Sequence, residues 1–371
     1  MNTIALLCLL VTTVLASEEP TFKTEPNPKK YSTGYIKPLS PEQLKLEKEF
    51  LLKSDTDLWT FDFDVRQVGK YSTGLTKPIE YSPGSSLLPR DGEDKLKPRS
   101  LLDFARPLPP TKDQGNCGSC VYFALTWAFE ASNWLRANLT PVLSPRHLMN
   151  CSNEGYQCNG AFGETVAQGL VRLGGLVEEE VYPYNEQTGK CRVPVDAIKH
   201  GHIESYEMIN PSPKDILYAI HQRQAVPVTV GANNTFISYS SGVFNACSQT
   251  STNHEVVVIG VNCGKSIDKD GFCVFDQKGN LPNGEGEYLV QNSWGDWGEN
   301  GTIRIKITDS KGRKCNRIAE EALVLNTGLP IPPEGPVEFE LKNSATHLKV
   351  IVQPGVYRAD NVKAALIAAG F

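Results

Sequence analysis

Gln114-Gly-Asn-Cys-Gly-Ser-Cys120 runs directly into Val121-Tyr-Phe-Ala-Leu-Thr-Trp-Ala-Phe-Glu130. From Cys120 onward, Val121, Ala124, Leu125, Ala128, Phe129 and Leu135 supply an apolar face at helical spacing and predict a helix over residues 120–137. Cys120 therefore opens a helix. A thiol in that position feels the positive end of the macrodipole, which lowers its pKa, and the thiolate is the reactive form. Cys120 is the candidate nucleophile. Its Cys-x-x-Cys spacing to Cys117 also admits a redox pair, which requires a βαβ setting; the chain upstream reads instead as Pro-rich coil.

A nucleophilic thiol needs a base, and the base needs an orienting group. The chain has six histidines. His254 lies in Thr252-Asn-His-Glu-Val-Val-Val-Ile-Gly260, at the start of an apolar strand. His200, His202 and His221 lie in polar contexts and His347 in the tail, while His147, after Ser-Pro-Arg, reads as a helix surface residue. Asn292, in Gln291-Asn-Ser-Trp-Gly295, ends the next expected strand. Its amide oxygen would accept a hydrogen bond from one imidazole nitrogen and leave the other facing the sulfur, with Trp294 covering that bond. Gln114 would donate its side-chain amide to a developing oxyanion, and the Cys120 N–H at the helix start would be the second donor.

The chain has 371 residues, 40 % of them hydrophobic, and a formal net charge of -5. That allows a sizeable core, and the mild acidity argues against a nucleic-acid partner. Residues 4–15 are a short apolar run ending in Val14-Leu15-Ala16, so residues 1–16 read as a signal peptide, too short to span a bilayer. No later stretch reaches transmembrane length. Of ten cysteines, Cys8 would leave with the leader, and the odd remainder suggests four disulfides and one free thiol in an oxidising compartment. Asn138 and Asn233 head sequons expected to carry glycans; Asn150, also in a sequon, adjoins a cysteine. The reading calls for no metal and no cofactor.

Residues 17–96 are polar and broken by Pro and Gly, and read as a propeptide with one helix over 40–53. From residue 97 the texture is globular. Helices are expected over 143–150 and 162–173, then strands over 225–230, 255–261, 288–292 and 302–306, an α+β architecture of two packed lobes. Residues 331–371 form a C-terminal extension with strands at 337–341 and 347–353 and a helix at 359–369.

Six blocks occur in order: Lys112-Asp-Gln-Gly-Asn-Cys-Gly-Ser-Cys120, Leu143-Ser-Pro-Arg-His-Leu-Met-Asn-Cys151, Cys158-Asn-Gly160, Gly174-Gly-Leu-Val-Glu-Glu-Glu-Val-Tyr-Pro-Tyr184, Asn253-His-Glu-Val256 and Asn292-Ser-Trp-Gly-Asp-Trp-Gly-Glu-Asn-Gly301. On them, residues 97–330 resemble the papain family of cysteine proteases. The resemblance implies a two-lobed fold, with a helical left lobe, a β-barrel-like right lobe and the cleft between them. It implies endopeptidase activity through a Cys120 thioester, with His254 as ion-pair partner, Asn292 as orienter and Gln114 in the oxyanion hole. It places Gly160, Ala161, Trp294 and Glu320 at the substrate. The expected partners are protein or peptide substrates, the chain's own propeptide as inhibitor, and cystatin-like inhibitors, for a lysosomal or extracellular monomer. It also implies disulfides Cys117–Cys158, Cys151–Cys191 and Cys247–Cys315. Cys263 and Cys273 remain and predict a local fourth bridge, in a Gly-rich insertion that makes Asn292 late in the chain.

Three departures carry expectations. Val121 stands where Trp is usual. Ala161 replaces the second glycine of a pair, and its Cβ is expected to crowd the substrate backbone. Glu320, five residues after Cys315, is expected on the floor of the second-residue pocket, where a carboxylate would pair with Arg. The short interval between Cys151 and Cys158 leaves no room for an occluding loop and favours endopeptidase action. The alternative is a papain-fold protein of weak or lost activity that binds peptides or partners.

Overall fold

The structure, a computed structural model, describes residues 22–24, 95–104, 108–137, 141–328, 337–342 and 347–352. The expected leader, the helices at 40–53 and 359–369, and Asn138 lie outside the described residues.

In chain order the elements are β1 (Phe22–Thr24), β2 (Arg99–Ser100), α1 (Cys120–Ala137), α2 (Pro145–Cys151), α3 (Gly163–Leu173), β3 (Ser205–Met208), α4 (Pro213–His221), β4 (Val226–Val230), α5 (Asn234–Ile237), β5 (Tyr239–Phe244), β6 (His254–Asn262), β7 (Glu287–Gln291), β8 (Thr302–Lys306) and β9 (Leu323–Asn326), followed by an antiparallel hairpin of β10 (Val337–Lys342) and β11 (His347–Val352). Helix ends follow local chemistry. Ser144 Oγ accepts from His147 N at 3.1 Å, with Pro145 in the first turn of α2. The same Ser-Pro pattern recurs at Ser212-Pro213 and starts α4, a helix absent from the sequence reading. Gly174, at φ +70°, ends α3 in the left-handed conformation that glycine adopts without penalty.

A seven-stranded sheet runs β1-β5-β8-β7-β6-β2, with β4 also on β6. Eight of the nine residues of β6 are buried, which explains its run of Val and Ile without alternation. β4 pairs with residues 254–258 of β6 and β2 with residues 260–261, so both lie along one edge while β7 takes the other. α1 is buried almost all round and packs against β6. β1, from the expected propeptide, adds to the outer edge of β5, where the Phe22 ring lies 4.7 Å from that of Phe244.

Four disulfides join Cys117–Cys158, Cys151–Cys191, Cys247–Cys315 and Cys263–Cys273, and among the described residues Cys120 is the buried cysteine outside them. Cys117 is bonded to Cys158 and not to Cys120, which removes the redox-pair alternative. The insertion between β6 and β7 is built from two like turns. Asp268 Oδ1 accepts from the N–H of Asp270 and Phe272, and Asp276 Oδ1 from those of Lys278 and Asn280, each at 2.8–2.9 Å.

His147 is not a surface residue. α2 turns it inward, it is 2 % exposed, and its Nδ1 accepts from Val177 N at 3.0 Å. Burial, helped by the positive charge of Lys199, lowers its pKa to about 4. A histidine depressed in this way contributes stability that is complete above the unfolded value of about 6.5 and is lost as pH falls through the folded value. In His147→Gln, which keeps an acceptor for Val177, urea unfolding at pH 7 and pH 4 should show a smaller stability loss than wild type, by up to about 3 kcal/mol. Equal losses in the two proteins would contradict the assignment.

Candidate active site

Cys120 opens α1, His254 opens β6, and these two elements pack together. Both residues are wholly buried. Where helix meets sheet, Lys112, Phe123 and Trp127 face Val256, Gln291 and Asn292 across a small cavity.

His254 Nε2 and Asn292 Oδ1 are 2.8 Å apart. An amide oxygen only accepts, so Nε2 carries the proton and, in the neutral ring, Nδ1 holds the lone pair. Nδ1 is buried and has no hydrogen-bond partner. Asn292 Oδ1 also accepts from Ser293 N at 2.8 Å, which fixes the amide. The Trp294 indole stacks on the imidazole at 4.5 Å and 20° and shields the bond from water. Trp294 is held edge-on by Phe236 at 6.0 Å and Trp297 at 5.1 Å. Burial lowers the His254 pKa to about 4, against a smaller upward effect of Asn292. A thiolate beside Nδ1 would reverse that balance, because an opposite charge favours the imidazolium.

Gln114 reaches the same place by backbone pairing. Its N–H donates to Ser293 O at 2.9 Å, and Asp113 forms a β-bridge with Trp294. The side chain is wholly buried and clamped: Ser293 Oγ donates to Oε1 at 2.7 Å, and Nε2 donates to Cys117 O at 2.9 Å. Tyr184 Oη donates to Gln114 O at 2.9 Å and lies 2.8 Å from Ser119 Oγ. Ser293 and Tyr184 were not singled out from the sequence, although both lie in the motif blocks.

One expectation needs correction. The Cβ of Ala161 does not crowd the cleft. Ala161 is wholly buried, and a Cβ built on Gly155 would lie 2.6 Å from its own, so the methyl is turned into the helical lobe. Gly160 before it has φ +109°, a conformation reserved for glycine. Glu320 is part-exposed: its Oε1 accepts from Arg317 Nε at 2.6 Å, and its charge acts on Lys314. The acid turned toward the His254 strand is its neighbour. Glu321 N donates to Thr229 Oγ1 at 3.2 Å, and Thr229 is the ladder partner of Glu255. Glu255 follows His254, is 3 % exposed and leaves Oε2 without a partner. Burial, and then the charge of Glu321, pushes its carboxyl well above the usual range. A lone acid ahead of Val-Val-Val-Ile was the available signal for it.

Asn233 is half-buried and caps α5, its Oδ1 accepting from Phe236 N and its Nδ2 donating to Ser248 Oγ, both at 2.9 Å. A glycan on that nitrogen would have to share it. Asn150 is 4 % exposed, inside the helical lobe.

A helix-start thiol, an imidazole oriented by an amide and shielded by an indole, and a clamped glutamine between helical and sheet layers define a thiol peptidase of the α+β class. The chain belongs to the papain family: the family described as papain family cysteine protease matches residues 100–325. It is 32 % identical over 270 residues to a KDEL-tailed cysteine endopeptidase of Arabidopsis thaliana, covering 70 % of this chain and 69 % of that protein. It is 34 % identical over 207 residues to vignain of Phaseolus vulgaris, and the match spans 54 % of this chain and 51 % of vignain, about half its length. Among solved structures, the bromelain protease of Ananas comosus in complex with an inhibitor matches with a TM-score of 0.50 at 28 % identity, over 62 % of this chain and 98 % of that one. The recombinant stem bromelain precursor matches with a TM-score of 0.51 at 26 % identity, over 66 % and 77 %. Among the described residues no helix is long and apolar enough to cross a membrane.

Proposed function

We propose that the chain is a cysteine endopeptidase made as a precursor in the secretory pathway. The observation that carries the reading is the buried His254–Asn292 bond under Trp294, which leaves Nδ1 as the only basic atom of the ring. His254 Nδ1 takes the Cys120 proton, and the thiolate adds to the scissile carbonyl carbon. The resulting oxyanion is met by the Cys120 backbone N–H and the second N–H of the Gln114 amide. Collapse breaks the C–N bond, and the imidazolium returns its proton to the leaving amine. Water, deprotonated by His254, then hydrolyses the thioester and releases the acid product. The backbone of Gly160 and Ala161 aligns the substrate, and Trp294 keeps the base dry.

Support for the precursor reading is the Pro-broken N-terminal region, its β1 strand seated on the peptidase sheet, and the likeness to a bromelain precursor. Secretory-pathway residence is supported by the leader pattern, the four disulfides and a similar protein named for its KDEL tail. The inactive-fold alternative rests on Val121, on Ala161 and on a turn one residue short after Asn292-Ser-Trp-Gly295; Val121 and Ala161 are both wholly buried. A peptidyl epoxide followed by peptide mass mapping tests the reading. The expected result is an adduct on Cys120, absent from Cys120→Ala. An activated chain that takes no adduct would count decisively against peptidase function.

A further inference from the structure

Tyr122 stands two residues after Cys120 in the first turn of α1 and is wholly buried. Its hydroxyl donates to Glu154 O at 2.6 Å and accepts from Gln157 N at 3.2 Å. The segment between these atoms passes over the phenol tip. A Cβ on Gly155, which has φ +72°, would fall 2.4 Å from the Tyr122 oxygen, so only glycine lets the chain cross there. Beyond the grip the chain closes on itself: Asn159 N donates to Tyr156 O at 2.9 Å, Gly160 N to Gln157 O at 3.1 Å and Tyr156 N to Gly160 O at 2.7 Å. The Gln157 side chain adds a paired contact with Gly189, at 2.6 and 2.9 Å. The conformation of Gly160 thus follows from where residues 154 and 157 are held.

We propose that Tyr122 is a positioning residue for peptide binding, its hydroxyl holding residues 154–160 so that Gly160 and Ala161 present their backbone to an extended substrate. The inference rests on the peptidase reading above. The Cys117–Cys158 bridge ties the middle of the segment to the chain before the nucleophile, and Gly118 N donates to Cys158 O at 2.9 Å. Neither of these contacts fixes residues 154 and 157. Tyr122 connects those two positions to α1, the helix that Cys120 opens. Burial pushes the phenol above its ordinary pKa, so it stays a donor over the working range. Removing the oxygen leaves a carbonyl and an N–H without their partner, and the segment is free to shift to recover them.

The test compares Tyr122→Phe with wild type in the activated full chain. KM and kcat are measured on a tetrapeptide amide, and the rate of Cys120 alkylation on iodoacetamide, which is too small to span the cleft. The expected result is a KM raised about 10-fold, the loss of one hydrogen-bond equivalent, with kcat and the alkylation rate within about 2-fold of wild type. Gly155→Ala, which pushes the segment off the hydroxyl while keeping it, should raise KM in the same way and serves where Tyr122→Phe does not fold. Unchanged KM in the folded variants, or a fall in kcat and alkylation together, would overturn the proposal. A wild-type chain alkylated at Cys120 that cleaves no peptide would overturn the peptidase reading, and this inference with it.

Discussion

In His254→Ala, kcat/KM for peptide hydrolysis should fall by at least ~10⁴-fold, about 5.5 kcal/mol of transition-state stabilisation. On the proposed mechanism the imidazole works in both halves of the reaction, first removing the thiol proton and later delivering it to the amine and activating water. Nε2 is committed to Asn292 Oδ1, Trp294 covers that side, and Nδ1 is the remaining nitrogen. A second readout separates this role from a structural one. Alkylation of Cys120 in wild type should persist into acid, because the thiolate is stabilised as half of an ion pair. In the variant its midpoint should move up by several pH units toward the ordinary thiol value of about 8.5, the helix start alone holding it below that value. Peptide hydrolysis within 10-fold of wild type would refute His254 as the base.

Gln114→Ala should lower kcat by about 10²–10³-fold with KM changed by less than about 3-fold. The asymmetry follows from the clamp. Ser293 Oγ donates to Oε1, so the amide is fixed with its nitrogen pointing the other way, and no reorganisation is needed when the oxyanion develops. Such a donor strengthens only as charge accumulates on oxygen, which is why the loss should fall on the transition state and spare ground-state binding. Gln114→Glu should be at least as slow, since it replaces the donor with a carboxylate beside a developing negative charge. A loss confined to KM would instead mark Gln114 as a substrate-binding residue.

The parts of this molecule that could be read in advance are those written in local pattern. The apolar period from Cys120, the Ser144-Pro145 start of α2 and the buried run of β6 each act within a few residues and survive folding unchanged. His254, Asn292, Trp294 and Gln114 came from short motifs, and the fold brings them together through the pairing of residues 113–114 with 293–294. α4 is harder to read from the sequence although Ser212-Pro213 repeats the Ser144-Pro145 signal, because its apolar face is short and lies between polar segments.

What sequence could not supply was the direction of single side chains. Between Cys315 and Glu320, Asn316, Arg317 and Ala319 adopt left-handed backbone conformations, and the charge that reaches the buried Glu255 is that of Glu321. His147 was placed on a helix surface because its neighbours are polar, yet α2 packs that face against Val177. The Ala161 methyl and the Tyr122 hydroxyl were decided in the same way, by a loop that crosses the first turn of α1. Local pattern made the helix that Cys120 opens and the α+β class legible, since period and capping act within a few residues. Which histidine and which tyrosine face inward follows from tertiary packing, since it depends on segments thirty or more residues apart meeting at one place.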